Sequence, residues 1–311
     1  MARSRRSIAF LIAVATIGLV AGATETPSIE FMAWRYGVIA WIGQKPAGWD
    51  AISSTATEAV EDVFTLWELP VPEPTGNWEN PSLNPRHFGS SKVSQVLKRN
   101  PATGEMWRLN PLRWGDEETH PLLLILFPDA ETMAEATRKT TLGGFLYESG
   151  LGSKVWFQGL TDVPRSIFCL AGDVRVLRHE LAHWMTSVSL GWPGYLAACI
   201  PDYVMEGIAD HTAEILGGTA YSQQSRGLQP LVGDWTSEHS LTDEGVEYNP
   251  YWIGTSLVSY LFLKMGPSEL LASLPRWCST RTTMLLEHQP GWHAYLKLVL
   301  PILEAPPAQA L

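Results

Sequence analysis

The sequence predicts an α+β fold in which a small sheet with at least one helix is followed by a helical lobe. Two observations carry that prediction. Leu122–Phe127 is an unbroken apolar run between Pro121 and Pro128, the pattern of a strand buried on both faces. From Asp173 onward the chain reads instead as helices, stopped at Gly191-Trp192-Pro193-Gly194, Gly217-Gly218 and Gly266-Pro267.

The elements follow in order. Residues 31–42 are an aromatic-rich stretch, and in 51–69 Ala56, Val60, Val63, Phe64 and Trp67 recur at helical spacing. Prolines and turn residues dominate 70–89, which reads as a long irregular connection, and Thr103-Gly104 reads as a turn. After the Leu122–Phe127 strand, Asp129 opens a short helix to about Lys139. Residues 145–147 and 155–157 read as two more strands joined through a glycine-containing turn. Asp173 caps a helix to about Leu190, a second helix starts at Pro201-Asp202, and a third runs from about Pro250 to Met265. The tail from Glu304 is rich in proline and alanine and reads as loose.

Composition narrows the class of partner. The chain of 311 residues is 45% hydrophobic, ample for a buried core, and its fourteen tryptophans suit packing and cleft walls. The formal charge is −10 with no basic run after the N-terminus, which argues against nucleic acid or an anionic membrane surface as the main partner. Arg3, Arg5 and Arg6 precede an apolar run from Ile8 to Val20, and Ala21-Gly22-Ala23 offers a cleavage site. Residues 1–23 thus read as a signal peptide, with an uncleaved membrane anchor as the alternative. Its loss removes three arginines and no acidic residue, taking the charge from −10 to −13. Cys169, Cys199 and Cys278 form no C-x-x-C, so a thiolate metal site is not expected, while an exported chain could pair two of them.

The chemistry is concentrated in His179-Glu180-Leu181-Ala182-His183, an H-E-x-x-H pentapeptide within a helical pattern. Residues four apart share a helical face, so His179 and His183 can aim imidazole nitrogens at one cation. Glu180 lies beside that face, placed to take a proton from water. Thr186 and Ser189 stand where a metzincin has glycine and histidine, which excludes that form. A glutamate from the next helix is the remaining common third ligand, and Glu206 supplies one. Asp202, one turn earlier, is the rival, although it suits a capping position better. Asp210 shares the Glu206 face and can accept the second ring N–H of a ligand histidine. Gly207 lets two helices approach closely around the ion. His211 lies off that face, and His87, His120, His288 and His293 have no partner pattern.

These residues resemble those of the gluzincin zinc metallopeptidases, most closely the broad bacterial peptidase MA group. The match is carried by His179-Glu180-Leu181-Ala182-His183, by Pro201-x-Tyr203-x-x-Glu206-Gly207-x-Ala209-Asp210, and by residues 251–261 followed by Gly266. It covers roughly residues 120–275. The resemblance implies zinc ligands His179, His183 and Glu206, the base Glu180, and a supporting Asp210. It also implies a thermolysin-like layout with a mixed sheet whose edge strand, around residues 155–158, borders the cleft and pairs with an extended peptide. On this reading 24–115 is an N-terminal region without an assigned fold, 116–275 the peptidase-like core, and 276–311 a helical segment with a tail.

Two imidazoles and a carboxylate leave a zinc coordination position for water, which Glu180 deprotonates before passing the proton to the leaving amine. The oxyanion needs a further donor, for which Tyr251, His239 and Tyr248 are candidates, Tyr251 foremost. The aminopeptidase signature G-x-M-E-N is missing, which favours an endopeptidase acting on a peptide or protein substrate. A peptidase-like binding or scaffold protein without turnover, or a zinc hydrolase of another substrate, are the alternatives. The expected location is exported, with membrane attachment if the N-terminal segment is uncleaved.

Overall fold

The structure is a computed structural model that describes residues 29–43, 48–74, 112–114, 117–119, 122–137, 144–147, 166–190, 200–217 and 250–304. Strands β1 (Ile29–Trp34) and β2 (Gly37–Ile42) form a hairpin, followed by helix α1 (Trp49–Leu66). Three short strands, β3 (Glu73–Pro74), β4 (Leu112–Trp114) and β5 (Glu117–Thr119), make a separate small sheet. Then come β6 (Leu122–Phe127), α2 (Ala130–Thr137), β7 (Gly144–Tyr147) and β8 (Ser166–Leu170). The rest is helical: α3 (Val174–Ser189), α4 (Asp202–Gly217), α5 (Pro250–Met265) and α6 (Pro267–Glu304).

The main sheet has the order β1-β2-β6-β8-β7. Its central strands β2, β6 and β8 are parallel, and β1 and β7 close it antiparallel on either side, so the sheet is mixed. Strand alternation explains the apolar run in β6. Leu122, Leu124 and Leu126 join the helical core, whereas Ile125 and Phe127 are buried outside that cluster. There Phe127 stacks on Phe168 and α2 packs with buried Met133. A strand covered on both faces has no polar side to show, hence its continuous apolar sequence.

One cluster of buried side chains runs from Trp34 to Leu296 and includes Phe64, Trp67, Leu181, Trp184, Val204, Leu257, Trp277 and Trp292. Strands β1 and β2 and helix α1, within the region 24–115 that had no assigned fold, therefore belong to the same core. Tyr36 and Phe64 pack against Trp184 of α3, and Trp67 Nε1 donates to Thr212 Oγ1 of α4 at 2.8 Å.

The helix ends expected at Asp129, Asp173 and Gly266-Pro267 hold. Asp129 accepts from the Thr132 amide and Asp173 from the Val176 amide, each a side-chain cap. Gly266 takes the left-handed φ of 83° between α5 and α6, and Pro267 opens α6 where its missing N–H does no harm. Cys169 is free and buried, and Cys278 is disulfide-bonded, which excludes both pairings that need Cys169. Strand β8 was not expected from sequence. The segments 1–23, 155–158, Thr103-Gly104 and 191–194 lie outside the described residues, as does the tail beyond 304. Among the described residues no helix is long and apolar enough to cross a membrane.

Candidate metal centre

The site is built on α3 and α4. His179 Nε2, His183 Nε2 and Glu206 Oε2 converge, with separations of 3.3 Å between the imidazoles and 3.2 and 3.4 Å from the carboxylate oxygen. This is the one such group among the described residues. Three atoms bound to a single tetrahedral ion at about 2.0–2.1 Å must themselves lie about 3.3–3.4 Å apart. The observed triangle is compatible with that spacing, so the three donors could hold one metal ion.

His179 Nδ1 lies 2.9 Å from Asp210 Oδ1. A carboxylate can only accept, so Nδ1 carries the proton and Nε2 is free to bind an ion. Glu206 Oε2 is buried, faces both Nε2 atoms, and makes no well-formed hydrogen bond. Burial works against a charged His179, but the Asp210 and Glu206 carboxylates and the Glu180 charge outweigh it and raise its pKa to about 10. Burial likewise opposes an ionised Glu206, and the two histidines overcome this and hold it well below the usual carboxylate range. The point where the donors meet strongly favours positive charge.

The predicted site residues that fall among the described ones have definite places. Glu180 is buried on α3, and its charge is felt by His179 and Tyr251. Tyr251, 39% exposed at the start of α5, has its ring centroid 6.2 Å from that of His179. Burial, followed by Glu206, Asp210 and Glu180, pushes its hydroxyl up to about 12. Asp202 is an exposed first-turn residue of α4 and does not join the ligand group. His211 packs elsewhere, Nδ1 at 2.8 Å from Ser259 Oγ between Trp67 and Phe262. His288 pairs with Lys264 and stacks on Trp277, and His293 packs on Trp292. His87, His120, His239 and Tyr248 lie outside the described residues.

The expectation for Gly207 is corrected in one respect. The helix it admits is α5, not α3. A Cβ on Gly207 would overlap the Gly254 backbone, and one on Gly254 would overlap the Tyr203 carbonyl. Two glycines therefore bring α5 against α4, and Tyr251 sits one turn before that contact.

Sequence reasoning overlooked Arg175 and Glu214. Arg175 is four residues before His179, and its guanidinium lies 3.5 Å from Asp210 and 3.8 Å from Glu214. Burial, then the Asp210 charge, raises Glu214 to about 7 against the pull of Arg175. The four-residue spacing was the available signal.

No protein-family model and no curated protein matches this chain. The functional reading therefore stands on the residues themselves.

Proposed function

We propose that this chain is an exported zinc-dependent peptidase of the gluzincin type, with an endopeptidase action. The observation that carries the reading is the donor triangle of His179, His183 and Glu206, oriented by Asp210 and flanked by the buried Glu180. Zinc supplies Lewis acidity when bound, polarising a carbonyl and acidifying water. His179, His183 and Glu206 hold it, and Asp210 fixes the ring of His179 through the Nδ1 proton.

Glu180 is the proton carrier. It accepts a proton from the attacking water and returns it to the leaving amine, a role general bases fill with rate gains of about 10²–10⁴. Tyr251 keeps its proton and donates it in a hydrogen bond to the oxyanion. An extended substrate pairs with the sheet edge near α3, where β7 is the last strand among the described residues. Export rests on the basic residues and apolar run within 1–23.

The deciding experiment measures zinc content and peptide-library cleavage for wild type and Glu180→Gln. We expect one zinc per chain in both, and cleavage reduced at least about a hundredfold in the variant. An ion-free wild type, or equal cleavage by the variant, overturns the proposal. Zinc without hydrolysis in wild type replaces it with the binding-protein reading. Glu206→Ala should lose the metal.

A further inference from the structure

The metal site occupies only part of a longer seam. Arg175, His179 and His183 recur every four residues along α3, and Glu206, Asp210 and Glu214 do so along α4. The stripes face each other in reverse order: His183 meets Glu206, His179 meets Glu206 and Asp210, and Arg175 meets Asp210 and Glu214. The outer rung is unusual in two ways.

Arg175 lies in the first turn of α3 and Glu214 in the last turn of α4. Each is at the end its own helix dipole disfavours, since cations suit C-termini and anions N-termini. Antiparallel packing brings the two misplaced charges together. Secondly, the Asp210 and Glu214 side chains are each only 8% exposed and lie one turn apart, so the Asp210 charge works against an ionised Glu214. The Arg175 guanidinium approaches both. The same Asp210 Oδ1 that it approaches at 3.5 Å accepts from His179 at 2.9 Å.

We propose that Arg175 is a positioning residue of the metal site, keeping Asp210 beside Glu214 and turned toward His179, and so setting the affinity of the site for a divalent ion. The inference rests on reading His179, His183 and Glu206 as metal ligands. Arg175 also repels a nearby dication, which acts in the opposite direction. That repulsion passes through a side chain 43% exposed and is screened by water. The carboxylates it holds are buried, so the positioning effect wins.

The test titrates Zn²⁺ alone into the full-length, metal-stripped chain against a chromophoric chelator, at a pH above 8 where Glu214 is ionised. Arg175→Met should weaken binding about tenfold or more, the scale seen for groups that orient metal ligands. Arg175→Lys should restore most of the affinity by keeping the charge. Arg175→Met with Glu214→Gln should restore it by removing the second carboxylate. A structural role would predict no such rescue by Glu214→Gln, and far-ultraviolet circular dichroism of each metal-free variant checks the fold. Unchanged or tighter binding in Arg175→Met, or failure of both rescues, overturns the inference while the metal reading survives. A wild type that binds no Zn²⁺ overturns both.

Discussion

Helix α4 is held on its two flanks by opposite means. Toward α3 it presents Glu206, Asp210 and Glu214, and contact is made by charge across a seam of imidazoles and one guanidinium. Toward α5 it presents Tyr203, Gly207 and His211, and contact is made by shape, with backbone against backbone at Gly254. The first flank brings together polar groups that could hold an ion, and the second leaves no room for one side-chain carbon. A ligand helix needs both, because charge alone does not fix a carboxylate to within the tolerance of a metal site.

The flanks should therefore fail differently. Gly254→Ala forces a methyl group into the Tyr203 carbonyl, and backbone cannot yield as a flexible side chain can. We expect a loss of about 3 kcal/mol or more in denaturant unfolding, at the upper end for overpacking. A loss under about 1 kcal/mol would show that the shape-built flank is softer than drawn.

The same flank carries a pH signature. Burial pushes His211 down to about 4, so it stays neutral in the folded chain while an unfolded histidine near 6.5 takes a proton. Its contribution is fully present above about 6.5 and is lost as pH falls from there toward 4, by about 3 kcal/mol at most. Glu214 works in the other direction, because its raised pKa favours the folded state as pH falls below about 7. Comparing wild type with His211→Gln isolates the first effect: the wild type should lose stability relative to the variant over that window. Parallel pH profiles would remove His211 from the account.

The charge-built flank should lose affinity rather than fold. Asp210→Asn keeps the shape and removes the charge that holds His179 Nδ1. Zinc affinity should fall about 10–100-fold, equivalent to about 1.4–2.7 kcal/mol, with little change in metal-free stability. If stability falls instead and affinity does not, the seam is structural.

This division also explains what sequence could reveal. Helical spacing within one element is local, so His179, His183, Glu206 and Asp210 were legible from their four-residue intervals, and Asp173 and Gly266 marked helix ends. Pairing across elements is not local. Arg175 and Glu214 become partners only when α3 and α4 lie antiparallel, and Gly207 was matched to α3 because nothing in the chain marked Gly254 as its neighbour. Strand β8, Ser-Ile-Phe-Cys-Leu, is short and lacks alternation because both its faces are covered, so it carried no signal of its own. The strands β4 and β5 are three residues each, and Glu117-Glu118-Thr119 has no apolar face to read.

The smallest predicted effect concerns how α3 is tied to the N-terminal part of the fold. Arg178 donates to Asp62 of α1 at 2.6 Å and to the Leu216 carbonyl at the end of α4 at 2.9 Å, so one guanidinium joins three helices. The Asp62 side chain is 43% exposed, which places this ion pair in the class whose net worth is small. Asp62→Asn should therefore cost about 0.5 kcal/mol and leave zinc affinity unchanged, because the Leu216 carbonyl still holds Arg178. An affinity loss comparable to that of Asp210→Asn would mean that the charged seam extends past α4 to α1. The two flanks would then not be separable, and the N-terminal helix would belong to the metal site.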